Sequence, residues 1–240
     1  MKEEENEEKE NNEKKEEKEE KEEKEEKEEK EEKDEQECKM FKIITLGDCY
    51  VGKTSILKKY VNNVFEENYL NTIGMNILFR EIILKNKKKI KLELIDTAGQ
   101  EKYKALSKQY YRNADGVLFV FDLNNIESFE HITLWMELFF KESNFSEKSI
   151  PTFLIGNKSD LQIKVPDKNI KEFLKKNTFS KYKEISAKKD YSKIISLFQE
   201  LGEQLYENNK GIDKKDQQNI TLKNGETKKK KQCFLIKCMV

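Results

Sequence analysis

Eight consecutive residues constrain this chain more than any others: Gly47-Asp48-Cys49-Tyr50-Val51-Gly52-Lys53-Thr54. They match the pattern G-x-x-x-x-G-K-[ST]. The apolar run Phe41–Leu46 comes immediately before, and helical spacing through Ile56, Leu57, Tyr60 and Val61 comes immediately after. That strand–loop–helix context gives the pattern its chemistry. Its glycines let the backbone curl until successive N–H groups point inward, and the next helix adds the positive end of its dipole. Such a loop cradles phosphate. Lys53 is placed to reach β- and γ-phosphates, and Thr54 to ligate Mg²⁺.

The surrounding pattern alternates between strand and helix. Ile77–Leu84 and Ile90–Ile95 are strand-like, with Leu92 and Leu94 in period two, and Lys85-Asn86-Lys87 between them reads as a hairpin. Val117–Asp122 and Pro151–Gly156 are continuous apolar runs, as buried central strands are. Thr54–Asn62, Ser128–Lys141 and Ile194–Tyr206 carry helical periodicity. Strands alternating with helices predict an α/β fold with a mostly parallel sheet.

Three further motifs follow strands in the same way. Asp96-Thr97-Ala98-Gly99-Gln100-Glu101 follows Leu92–Ile95. There Asp96 can hold a Mg²⁺ shell, Gly99 can set its N–H against a γ-phosphate, and Gln100 can orient an attacking water. Asn157-Lys158-Ser159-Asp160 follows Pro151–Gly156. A carboxylate at Asp160 accepts two hydrogen bonds from the N1–H and 2-amino group of guanine. Adenine offers no such donors, so this residue selects the base. In Ser186-Ala187-Lys188, a backbone N–H is placed to meet the guanine O6.

These motifs, in this order and spacing, resemble those of the Ras-superfamily small GTPases, and within them the Rab family. The resemblance spans about residues 40–208. Phe65, in Phe65-Glu66-Glu67-Asn68-Tyr69-Leu70-Asn71-Thr72-Ile73-Gly74, falls where that family places an aromatic against guanine. Thr72 falls where its first switch segment supplies a second Mg²⁺ ligand. Tyr110-Tyr111-Arg112-Asn113-Ala114-Asp115, Trp135 and Thr72-Ile73-Gly74 are similar to Rab stretches. The implied fold is a P-loop G domain: a mostly parallel central sheet with one antiparallel strand and helices on both faces. Implied too is a molecular switch that binds GTP or GDP with Mg²⁺ and hydrolyses GTP. Gln100 and Lys53 would be catalytic, and Thr54, Thr72 and Asp96 would hold the metal. The nucleotide would be bound by Gly47 through Ser55 (Asp48, Cys49, Tyr50, Val51, Gly52, Lys53 and Thr54 among them), by Phe65, Tyr69, Thr72, Asp96 and Gly99, and by Asn157, Lys158, Asp160, Ser186, Ala187 and Lys188. The expected partners are an exchange factor, a GTPase-activating protein supplying an arginine, a GDP-dissociation inhibitor or escort protein, and effectors in membrane trafficking.

Three positions depart from the family. Tyr50 stands where a small residue, commonly glycine, is usual, and its ring could cover the phosphates or project outward. Ile77 and Ile95 stand where Phe and Trp commonly contribute to an aromatic effector surface. An alternative reading is therefore a GTP-bound scaffold with impaired hydrolysis.

Charge divides the chain again. Lys+Arg and Asp+Glu both total 47, yet residues 1–37 hold 22 acids and 10 lysines. The arm is thus strongly acidic and the remainder basic by the same amount. Lysine recurs every third position from Lys15 to Lys33, and no apolar residue lies between Met1 and Cys38. Such a stretch buries no core, and it reads as a disordered arm or fluctuating helix. An interaction protein working mainly through this arm is a second alternative. Residues 40–208 form the expected domain, and 209–240 a flexible basic tail.

In that tail, Lys228–Lys231 precedes Cys233 and Cys238. The arrangement resembles a polybasic segment beside prenylated cysteines, although Cys238, third from the end, does not meet C-a-a-X. The longest apolar run, Val117–Phe121, falls far short of the roughly 20 residues of a membrane span. Four scattered cysteines support neither a disulfide framework nor a zinc site. The expectation is a cytoplasmic protein, on the cytosolic face of an intracellular membrane when lipidated. Nucleic-acid binding is not expected, since the lysines are spread and no recognition motif is present. The single histidine, His131, reads as a surface or half-buried residue without a catalytic role.

Overall fold

The computed structural model describes residues 38–66, 72, 74–97, 111–143, 145 and 150–209. The chain divides into units Met1–Lys39 and Met40–Val240, and the sheet and its helices concern the second. Six strands form one sheet: β1 (Lys39–Leu46), β2 (Met75–Ile83), β3 (Lys89–Thr97), β4 (Gly116–Asp122), β5 (Thr152–Asn157) and β6 (Lys181–Glu184). Their order across the sheet is β2-β3-β1-β4-β5-β6. β2 and β3 are antiparallel, with Ile77 opposite Ile95, while β1–β4, β4–β5 and β5–β6 are parallel.

Burial explains why the apolar runs became strands. All of β4 and β5 is buried, because both faces of the sheet are covered. β1 sends Phe41 and Ile43 into one core and Ile44 and Leu46 into the other, as a period-two strand must. The first core lies under α1 (Lys53–Asn62) and the helix over residues 191–209, where Tyr60 stacks on Phe198 at 3.9 Å. The second is aromatic. It lies under α3 (Ile132–Ser143) and α4 (Asp167–Lys176), and Phe119 meets Phe139 edge-on at 6.1 Å. Burying each such ring contributes about 1.5–3 kcal/mol. The β2–β3 hairpin closes through Leu84 N–H to Lys88 O and Lys87 N–H to Leu84 O, both 2.9 Å, with Lys87 left-handed.

The stretch Ser128–Lys141 is not one helix. α2 (Ile126–Glu130) ends at His131, and α3 begins at Ile132. Asn125 starts α2 by accepting from the Glu127 and Ser128 amides. Buried Phe129, Ile132, Met136 and Phe139 keep helical spacing across the break, so periodicity alone cannot reveal it. β6 and α4 extend the fold past the predicted elements. β6 is a short lysine-containing edge strand with no buried residue, and α4 buries only Ile170.

Because β1, β4, β5 and β6 run parallel, their carboxyl ends open at one edge of the sheet. Asn157 ends β5, and Gly47 and Ser186 lie just beyond the ends of β1 and β6, where open α/β sheets bind ligands.

Candidate nucleotide-binding site

The loop after β1 has the backbone that its glycines allow. Gly47 has φ 146°, and a Cβ there would lie 2.0 Å from the Val120 carbonyl oxygen. Gly52 has φ 97°, and a Cβ there would lie 2.2 Å from Asn157 Nδ2. Both positions exclude any side chain. Lys53 opens α1 and is 5% exposed. Its Nζ donates to Gly47 O at 2.9 Å and Asp48 O at 2.8 Å, so the lysine folds back across its own loop. Burial pushes this ammonium down to about 8, against the opposing pull of the Asp96 carboxylate. An anionic ligand beside it would favour the charged form.

Thr54, Thr72 and Asp96 come together from three separate segments. Thr54 Oγ1 donates to Asp96 Oδ2 at 2.7 Å and lies 2.9 Å from Thr72 Oγ1. Asp96, at the end of β3, is 1% exposed. Burial pushes its carboxyl up, while Thr54 and Lys53 act in the opposite direction. Its Oδ1 is buried without a hydrogen-bond partner. A buried carboxylate oxygen of this kind is costly unless something pairs with it. One carboxylate and two hydroxyls are hard oxygen donors that suit Mg²⁺, which keeps waters and phosphate oxygens in its shell. Among the described residues, no group of three His, Cys, Asp or Glu side chains could hold a metal by itself. The residues therefore fit Mg²⁺ held jointly with a phosphate.

The opposite end of the site is knitted to itself. Asn157 donates from Nδ2 to Val51 O at 2.8 Å, and its Oδ1 accepts from the Ala187 N–H at 3.0 Å. One side chain thus joins the phosphate loop, the end of β5 and the loop after β6. Ser186 Oγ donates to Asp160 Oδ1 at 2.5 Å, fixing the carboxylate that the sequence assigns to the base. Lys158 has φ 64° and pairs with Asp122 at 2.7 Å, at the end of β4.

A cavity of about 460 Å³ opens here, within the usual range of small-molecule sites. Tyr50, Ser55, Phe65, Asp160, Ala187 and Lys188 help to line it. Cys49 is partly buried and Val51 is buried. Tyr69, Gly99 and Gln100 lie outside the described residues, as do Cys233 and Cys238.

Sequence reasoning missed one contact to the loop. Asp48 accepts from Trp135 Nε1 at 2.8 Å and meets His131 Nδ1 at 2.7 Å. His131 is half exposed, yet it braces the phosphate loop. The signal was its place four residues before Trp135, on one helical face. Ile95 is buried in the aromatic core, whereas Ile77 is exposed on edge strand β2, so only Ile77 faces solvent. No described helix is long and apolar enough to cross a membrane.

Comparisons with known proteins agree with this geometry. The Ras family model matches residues 42–207. Rab11A of Lotus japonicus is 39% identical over 139 residues, which is 57% of this chain and 60% of that protein. RABG3a of Arabidopsis thaliana is 36% identical over 158 residues, 64% of this chain and 76% of that protein. The Ypt/Rab-type GTPase ypt7 of Schizosaccharomyces pombe is 40% identical over 124 residues, again 60% of its length. With the Gly47–Thr54 loop, the Asn157–Asp160 motif and these relatives, the chain belongs to the Rab family of Ras-superfamily small GTPases.

Proposed function

We propose that this protein binds GTP and GDP with Mg²⁺, hydrolyses GTP to GDP and phosphate, and acts as a switch in intracellular membrane trafficking. One observation carries the reading. Thr54, Thr72 and Asp96 come together, Asp96 keeps a second, buried oxygen without a hydrogen-bond partner, and the buried Lys53 precedes Thr54 in the chain. That is a site for a divalent cation shared with a polyphosphate. Mg²⁺, when bound, would neutralise charge on the β- and γ-phosphates. Lys53 would turn its ammonium from loop carbonyls to phosphate oxygens, and the loop N–H groups would hold the phosphates in line. Asp160, aligned by Ser186, would select guanine. Gln100 would orient water, and a GTPase-activating protein would supply the missing arginine.

The nucleotide's γ-phosphate would hold Thr72 and the segment around Gly99, and its loss would release both. An exchange factor, a GDP-dissociation inhibitor or escort protein, and effectors complete the cycle. Lipid on Cys238, with or without Cys233, together with Lys228–Lys231, would place the chain on the cytosolic face of a membrane.

The test is a single-turnover assay on the full chain, comparing GTP with ATP and the wild type with Gln100→Leu. Selective GTP binding is expected, with slow phosphate release that Gln100→Leu slows further. Equal binding of ATP would sink the base assignment. GTP binding with no release in either protein would replace the switch with a permanently loaded scaffold.

A further inference from the structure

Tyr50 combines three features that a phosphate loop does not need. Its φ is 62°, in the left-handed region that favours glycine and costs a bulky side chain. Its residue surface is 60% exposed, among the most exposed of the large apolar or aromatic side chains described. Yet it also lines the 460 Å³ cavity, together with Phe65, Asp160, Ala187 and Lys188. A side chain that is both exposed and part of a cavity wall stands at that cavity's rim. The walls it shares include Asn157, Lys158, Asp160 and Ala187 on the base side, together with Gly52 of the loop and Ser55 of α1. Lys53, Thr54 and Asp96 are not among them. The ring thus shares a wall with the base-side residues and not with the cluster of Lys53, Thr54 and Asp96.

Strain kept at a ligand site calls for a compensating contact. A phenol ring is a large, rigid surface with few torsions to immobilise, which suits it to holding a flat ligand. Phe65 supplies a second aromatic wall in the same cavity.

We propose that Tyr50 is a retention residue: its ring closes over the base-and-sugar part of a bound guanine nucleotide at the rim and slows its departure. This rests on the nucleotide-binding reading above and adds to it a kinetic role for this residue. The chain would then leave its GDP-bound state more slowly than one with glycine here, and would depend more heavily on an exchange factor. Tyr50 is a positioning residue, since it acts on the residence of the ligand and touches no reacting atom.

The experiment measures release of fluorescently labelled (mant) GDP from the full 240-residue chain, chased by excess GDP with Mg²⁺ present. Wild type, Tyr50→Gly and Tyr50→Phe are compared, and single-turnover phosphate release from GTP is recorded for each. Tyr50→Gly is expected to release mant-GDP about tenfold faster, the size of one aromatic contact. Tyr50→Phe is expected to restore slow release, because the ring and not the hydroxyl makes the contact. Release from Tyr50→Gly at the wild-type rate would overturn the proposal. So would faster phosphate release with unchanged mant-GDP release, which would put the ring over the phosphates. If the wild type takes up no mant-GDP at all, the nucleotide-binding reading itself fails, and this inference falls with it. Circular dichroism of each variant guards against misfolding. Glycine relieves the left-handed strain, so faster release cannot be ascribed to a strained loop.

Discussion

The two ends of the candidate site are built on opposite principles. At the base end, polar side chains already have internal partners: Asn157 bridges Val51 and Ala187, and Ser186 holds Asp160. At the phosphate end, charges are buried ahead of partners that match them. Lys53 makes do with two loop carbonyls, and Asp96 keeps one oxygen with no hydrogen-bond partner. The base end is thus part of the fold's own stability. The phosphate end carries a cost that the proposed nucleotide and Mg²⁺ would offset. The proposed switch would need this division, because an end that senses a γ-phosphate must gain more from the ligand than from the fold.

Four substitutions test the contrast, from the largest effect to the smallest. Asp160→Ala should cost about a thousandfold in preference for GTP over ATP, about 4 kcal/mol, and about 1–2 kcal/mol of folding stability as Ser186 loses its carboxylate partner. Competition binding with both nucleotides reads it, and an unchanged ratio would mean that the base is selected elsewhere. Asn157→Ala should destabilise the chain even without ligand. It breaks two buried hydrogen bonds and leaves their partners unpaired, a cost of about 3 kcal/mol and a fall in Tm of roughly 6–12 °C. A melting curve within a degree of wild type would contradict the self-supporting base end.

Asp96→Asn reverses the logic. In EDTA, urea unfolding of the nucleotide-free chain should show stability unchanged or raised by about 1 kcal/mol, because a buried carboxylate is replaced by a neutral amide. Mg²⁺-dependent nucleotide affinity should fall sharply in the same protein. Loss of more than about 1 kcal/mol in EDTA would show the phosphate end to be as self-supported as the base end. His131→Ala, which removes a half-exposed pairing with Asp48, should cost less than about 1 kcal/mol. A larger loss in urea unfolding would make the brace part of the core.

Much of this was legible in the residues. The apolar runs gave the central strands, because burial on both faces leaves continuous hydrophobic sequence. The loop after β1 was readable because its demands are local: Gly47 and Gly52 have positive φ and no room for a Cβ. Less local facts were not. Asn157 was recognised as part of a motif, but its bond to Val51 spans 106 residues, and no pattern in sequence announces a partner that distant. His131 was read as a surface or half-buried residue, as it is, but its pairing with Asp48 escaped notice because a lone histidine carries no signal until its partner is beside it. β6 escaped notice since Lys181–Glu184 has no buried residue to mark it, and its pairing with β5 is made by backbone. Ile95 was grouped with Ile77 as an effector position. Burial separates them, because opposed residues of an antiparallel pair need not have equal cover above.

The brace on Asp48 has one more consequence. Trp135 is the chain's single tryptophan, and its indole N–H ends on the phosphate loop 87 residues away. Indole emission shifts when the polarity or hydrogen bonding around the ring changes. The protein therefore carries its own optical probe, wired to the loop and needing no label. Exchange of GDP for a non-hydrolysable GTP analogue should change that emission, and Asp48→Ala should mute the change. A spectrum indifferent to nucleotide in the wild type would mean that the loop holds still while the rest of the site responds.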